Sequence, residues 1–299
     1  MIRIFLIPFL LLSYLPLKML YVFSDWLASF LRKGMHYRSD VVNINIARSF
    51  PQLNYKEIEQ TAKGFYTYFC DVLFESMWHM SSSSKKVAES VCLSNKELIS
   101  QIFEKQGKII FLLGHTGNWE LVAAALYQAI DFNDPQFSDT DFVCVYKQMS
   151  NRLSNRIMED YRKILFRKRE RAKAVEAGSI IPYMMENEGR KSFYFFLADQ
   201  SAKKTVRSTV TRFLNQDSIM QSGVESIARL QNIPVVYVDM DRYERGKYRV
   251  TLIPICEESR ATKRNFITSR YAELLEKSIE RNKSCWLWSH KRWKVRVNS

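Results

Sequence analysis

Five short apolar runs constrain the fold of this chain more than any other feature. They are Lys108–Leu113 (KIIFLL), 142–146 (FVCVY), Ser192–Leu197 (SFYFFL), 233–239 (IPVVYVD) and 248–255 (YRVTLIPI). Each has the length of a strand and is too short for an independent helix. Amphipathic stretches at 121–130, 151–166 and 218–231 lie between them, and another at 264–281 follows the last. Strand and helix in alternation predict an α/β layered domain. The chain has 299 residues, room for one such domain and an appendage.

The appendage is N-terminal. Residues 4–31 are overwhelmingly apolar and aromatic, but their longest uncharged run ends at Leu17. That is short of the ~20 residues a bilayer span requires, so a spanning helix must include Lys18. A cleaved signal peptide lacks an A-x-A-like site, and a buried core helix would be interrupted by Pro8 and Pro16. The segment reads as an uncleaved hydrophobic anchor helix, either spanning or lying in the interface. Arg32, Lys33 and Arg38 follow it and only Arg3 precedes it, which by the positive-inside rule keeps the large C-terminal portion cytoplasmic.

Residues 40–80 read as helical, and the serines at 81–84 break the pattern. The expected organisation is an anchor over 1–33, a helical membrane-proximal region over 34–84 and an α/β domain over 85–299. Five scattered cysteines without a C-x-x-C pair suit a reducing compartment and give no structural zinc site. The net charge of +14 predicts an anionic partner: nucleic acid, an acidic protein or an anionic membrane surface.

Chemistry concentrates in Gly114-His115-Thr116-Gly117-Asn118-Trp119-Glu120, between the strand KIIFLL and the next helix. A loop at the end of a buried strand is where α/β folds place their reacting groups. His115 would stand at the strand end and Glu120 in the first helical turn. Folding the imidazole back over that turn would let the carboxylate fix one ring nitrogen and leave the other to act as a general base. A bare H-x4-E arises often by chance, and its bland reading is a loop histidine beside a glutamate favoured by the helix dipole. The flanking strand, the two glycines and the apolar N-terminus favour the catalytic reading. No serine or cysteine nucleophile is evident in the loop, so direct attack by an acceptor hydroxyl is simpler than an acyl-enzyme.

GHTGNWE resembles the H-x4-[DE] block of glycerolipid and lipid A acyltransferases, most closely the HxGNWE form of the late acyltransferases of lipid A biosynthesis. Three further stretches resemble that family in the same order: Phe196-Leu197-Ala198-Asp199-Gln200, then Phe213-Leu214-Asn215-Gln216-Asp217 leading into SGVESIAR, then WLWSHKRWK from Trp286. The resemblance, to the lauroyl/myristoyl type, covers nearly the whole chain. It implies a glycerolipid-acyltransferase-like mixed sheet flanked by helices. It also implies acyl transfer from an acyl-carrier-protein thioester (or acyl-CoA) to a hydroxyl of a lipid A precursor. His115 would be the base, oriented by Glu120, with no metal or organic cofactor and no role for nucleic acid. The same chemistry on another acceptor, a different glycolipid, an aminolipid or an aryl polyene, stays open.

Asn118, Trp119, Asp199 and Gln200 are expected to line the substrate site. Asp199 follows the strand SFYFFL, and the resemblance places it in the cleft, organising the acceptor sugar or an arginine; otherwise it is a cap of the next turn. Residues 151–173 hold nine Lys/Arg against three acidic residues, a solvated face or a dock for a carrier protein or lipid phosphates. The resemblance places an arginine of the thioester region here. Arg167 and Arg169 are the candidates, and a backbone N–H over 114–117 is an equal candidate for the oxyanion. The C-terminal tryptophans, interleaved with Lys291, Arg292, Lys294 and Arg296, read as a membrane-interface stretch. His290 has no neighbouring carboxylate and is not expected to be catalytic.

Overall fold

The computed structural model describes residues 7–148, 151–166, 170–202, 204 and 208–295. The five apolar runs form strands, and two shorter segments join them in one seven-stranded sheet. In chain order the strands are β1 (Val91–Leu93), β2 (Lys108–Leu113), β3 (Asp141–Tyr146), β4 (Ala172–Glu176), β5 (Ser192–Leu197), β8 (Val235–Glu244) and β9 (Lys247–Cys256). A separate antiparallel hairpin pairs β6 (Thr209–Phe213) with β7 (Gln216–Met220). The sheet order is β1-β9-β8-β2-β5-β3-β4. All its pairings are parallel except β8 with β9, which a tight turn joins as a hairpin.

Strands β2 and β5 are central and read as nearly continuous apolar runs because both faces are covered. Their side chains alternate between two cores. Ile110, Leu112, Tyr194, Phe196, Val235 and Tyr237 face one core. Ile109, Phe111, Phe193, Phe195, Val236 and Val238 face the other. Helices α5 (Ser84–Ser90), α6 (Glu97–Gln106) and α7 (Trp119–Ala129) close the second core. The first is closed by α3 (Ser39–Ser49), α4 (Tyr55–Ser81), α9 (Ile180–Glu186), α10 (Gly223–Gln231) and α11 (Phe266–Arg281). The helices from 34–84 therefore share a core with the sheet; Val42, Ile46, Phe65 and Tyr66 pack with Ile110 and Leu112. Helix α8 (Arg152–Phe166) leads into β4.

Two expectations need correction. The helix expected over 218–231 starts only at Gly223, because Ser218, Ile219 and Met220 pair in β7. The β6–β7 turn holds Leu214 and Asn215 at φ 49° and 58°, the backbone of a two-residue hairpin turn. The expected anchor helix over 1–33 is also broken. It folds as α1 (Ile7–Ser13) and α2 (Leu17–Ser29), separated at Pro16, and α2 ends in a π turn over Phe30–Gly34. Among the described residues no helix is long and apolar enough to cross a membrane. Both helices lie along α4.

Helix α2 combines an inward stripe that includes a polar residue with an outer side that is largely apolar. Its inward stripe carries Leu20, Ser24 and Ala28, all buried. Ser24 donates to Asp71 Oδ1 at 2.6 Å, and the Tyr21 hydroxyl donates to Glu75 Oε1 at 2.9 Å. Arg245, in the β8–β9 turn, bonds Asp71 and Asp25 and lies 4.2 Å from the Tyr21 ring centre. Apolar side chains on the outer side, Val22, Phe23 and Trp26, are left exposed.

Candidate active site

Most of the bonds that shape the GHTGNWE loop come from distant parts of the chain. Tyr271 of α11 donates its hydroxyl to Leu113 O at 2.7 Å, at the very end of β2. A side chain at Gly114 would place Cβ 2.4 Å from a buried methyl of Leu275, so the close approach of α11 requires glycine there. The Tyr68 hydroxyl of α4 is shared between His115 O at 3.1 Å and Gly117 O at 2.8 Å. Thr116 bridges to Trp286, and Gly117 takes φ +56°. Asn118 then caps α7, its Oδ1 accepting from Leu121 N at 3.1 Å. The turn is held before any substrate arrives.

The carboxylate on the His115 ring is Asp199. Nδ1 of His115 lies 2.5 Å from Asp199 Oδ1, and the His115 backbone N–H donates to Oδ2 at 2.8 Å. The indole N–H of Trp286 donates to the same Oδ2, also at 2.8 Å. Burial alone would raise the Asp199 carboxyl, but the His115 ring and these hydrogen bonds outweigh it and bring it down to about 2. An ionised Asp199 can only accept, so Nδ1 carries a proton, and in the neutral ring the lone pair is then on Nε2. Gln200 Nε2 stands 3.3 Å from that nitrogen, in keeping with the tautomer. Trp119 and the imidazole meet in a T-shaped contact, 4.7 Å between ring centres, and 11% of the His115 side chain stays accessible.

This geometry revises the expected pairing. No hydrogen bond joins Glu120 to His115, whose Nδ1 is already occupied. Glu120 is half-buried in the first turn of α7, and burial raises its carboxyl against the opposing influence of Arg162 and then His115. Arg162 of α8 stacks on Tyr146 at 4.1 Å and, among the described residues, is a cation whose charge acts on Glu120. The arginines expected there, Arg167 and Arg169, lie outside the described residues. Asn118 was expected to touch substrate but is fully buried, with both ends of its amide engaged: Oδ1 on Leu121 N and Nδ2 on Glu75.

The C-terminal tryptophans also belong to the interior. Trp286 and Trp288 are buried against each other at 4.7 Å, and Trp293 packs against Phe213 and donates to Ser218. The membrane-interface reading of this stretch fails for them, because their N–H groups find partners inside the protein. His290 accepts from Ser201 N at 3.0 Å through Nε2, and burial lowers it to about 4. Trp286, Tyr68, Tyr271 and Arg162 were not singled out as site residues in the sequence. Trp286 had a signal, since it opens a block that resembles the acyltransferase family, and Arg162 lies in the basic stretch 151–173 without having been chosen from it; the tyrosines had none.

A histidine held through Nδ1 by a buried carboxylate, across the ends of two central parallel strands, is an arrangement able to take a proton from a hydroxyl. The model of the family described as bacterial lipid A biosynthesis acyltransferase matches residues 2–295. The chain belongs to that family and is an acyltransferase. No curated protein matches it.

Proposed function

We propose that this chain transfers a fatty acyl group, of the lauroyl or myristoyl type, from an acyl-carrier-protein thioester to a hydroxyl of a lipid A precursor. The observation that carries the mechanism is the His115 Nδ1–Asp199 contact, which leaves Nε2 as the base. Nε2 takes the proton of the acceptor hydroxyl as its oxygen attacks the thioester carbonyl. The tetrahedral intermediate collapses with loss of the carrier thiolate, which recovers the proton from the imidazolium. Asp199 holds the tautomer and balances the transient charge, as an orienting carboxylate does in other histidine-based sites. Glu120, with the charge of Arg162 acting on it, would offer further polar groups beside the base to hold the substrate.

The enzyme would work at the cytoplasmic face of the bacterial inner membrane, resting on the interface. Leu11, Val22 and Trp26, each about two-thirds exposed, are the most exposed of the apolar residues α1 and α2 offer to lipid, beside Ile7, Met19 and Phe23. Lys18, Arg32 and Lys33 flank them and suit anionic headgroups.

The test is acyl transfer by purified full-length protein, with radiolabelled acyl-carrier-protein donor and a lipid A precursor, read by mass spectrometry of the lipid. Wild type is expected to add one acyl-chain mass and His115→Ala to add none. Turnover by His115→Ala at the wild-type rate would overturn the mechanism, and no product from the wild type would overturn the substrate assignment.

A further inference from the structure

In the last third of α4, Glu75 is 1% exposed, and its carboxylate collects donors from three directions. Oε2 accepts from Asn118 Nδ2 at 3.0 Å and from the Tyr248 hydroxyl of β9 at 2.6 Å. Oε1 accepts from the Tyr21 hydroxyl of α2 at 2.9 Å, with the Arg242 guanidinium 3.7 Å away. One buried group thus ties the catalytic loop, the sheet and the outer N-terminal helix together.

The bond to Asn118 settles which way that amide points. With Nδ2 directed at a carboxylate, Oδ1 must face Leu121 N–H, and α7 is capped. Asn118 stands three residues beyond His115 and immediately before Trp119, whose ring rests against the imidazole. A displacement of Asn118 therefore moves both His115 and the ring that limits its motion.

We propose that Glu75 is a positioning residue of the catalytic loop: it holds the His115–Trp119 turn through Asn118, and its hold depends on the seating of α2, which supplies Tyr21. The inference rests on the acyl-transfer reading above. A buried carboxylate is a poor choice for stability alone, since apolar residues of similar volume commonly serve a core as well or better. Here it supplies direction, because it accepts from specific donors at specific angles. Misplacement of a reacting group by about 1 Å can cost on the order of 100-fold in rate, so such direction has a catalytic consequence.

The variant that tests this is Glu75→Gln in the full-length enzyme, assayed with acyl-carrier-protein donor and lipid A precursor. The amide retains the side chain's size but can no longer accept at both ends, so either Asn118 and Tyr248 or Tyr21 loses its acceptor. We expect kcat to fall by about 10- to 100-fold, with KM for donor and acceptor within about twofold. Tyr21→Phe, which removes only the hydroxyl on α2, is expected to lower kcat by about threefold or more and to add nothing in the Glu75→Gln background. A purely structural Glu75 predicts another pattern: a lower Tm, unchanged kcat below that Tm, and additive variants. That pattern would overturn the inference. Should Glu75→Gln fail to fold, Tyr21→Phe with unchanged kcat would overturn it equally. His115→Ala in the same assay separates the two readings. If it is inactive while Glu75→Gln turns over normally, the Glu75 inference alone fails; if it turns over normally, the acyl-transfer mechanism fails and the inference with it.

Discussion

His115 and Asp199 face each other because β2 and β5 run parallel and in register. Leu113 pairs with Leu197, and each strand is followed two residues later by one member of the pair. The dyad is thus a property of the sheet: two neighbouring strands ending level bring their loops together above the same edge. The backbone N–H of His115 joins the side chain in bonding Asp199, so the loop and the ring are oriented by one carboxylate.

Asp199→Asn is expected to lower kcat by at least about 100-fold, because an amide can donate to Nδ1 and stabilise the wrong tautomer. Glu120→Gln should cost less, and Asp199→Asn should add little to His115→Ala, as members of one unit are not additive. Steady-state kinetics on the three single variants and the double variant would check this. A Glu120→Gln variant that is dead beside an active Asp199→Asn would restore Glu120 as the partner.

Trp286→Phe removes one of the donors that keep Asp199 near 2. A carboxylate depressed in the fold contributes stability above its unfolded value of about 3.9 and loses it as pH falls toward the folded value. With one donor gone the folded value rises and that contribution shrinks. The variant should unfold at a higher pH on acid titration and be about 1–3 kcal/mol less stable at neutral pH. Coincident acid-unfolding curves for variant and wild type would contradict the role given to the indole.

His290 gives a second and separate pH dependence. Burial holds it down to about 4, so between there and the unfolded value of about 6.5 the unfolded chain binds the extra proton. Stability therefore rises with pH across that window, is complete above it, and is lost as pH falls through it. At about 1.4 kcal/mol per pH unit the contribution is at most about 3 kcal/mol. His290→Gln retains an acceptor for Ser201 N but cannot titrate, so denaturant titrations at pH 4.5 and 7 should show a smaller difference than in the wild type. Equal differences would remove His290 as the source.

Gly117→Ala should be strained on two counts. Its φ of +56° costs an L-residue about 1–2 kcal/mol, and the new Cβ would lie 3.2 Å from the buried Tyr248 ring. A lowered Tm together with reduced kcat is expected from thermal unfolding and the transfer assay. An unchanged Tm would mean the loop relaxes at no cost and its glycine is not a conformational requirement.

Replacing Leu11, Val22 and Trp26 together by serine should abolish most binding to anionic phospholipid vesicles while leaving Tm within a degree or two. These side chains are exposed, and surface changes of this kind cost little stability. Flotation with phosphatidylglycerol vesicles measures it. Undiminished flotation would place the membrane contact elsewhere on the molecule.

Much of this protein was determined locally. The apolar runs KIIFLL and SFYFFL read as strands and form them, and the loop after the first needed its glycines and carries His115, the proposed base. The ordered blocks resembling acyltransferases were equally legible, because motif order is written along the chain. The partner of the base was not. Glu120 is five residues from His115 and Asp199 is 84, and only the register of two strands brings the distant carboxylate to the ring. The N-terminal segment shows the same limit. Its composition reads as an anchor, yet the direction its polar residues face depends on Asp71 and Glu75 of a helix some fifty residues further on. Periodicity and turn chemistry act between neighbours and can be read from sequence. Which buried polar groups meet is decided by packing, when each donor and acceptor removed from water must find a partner.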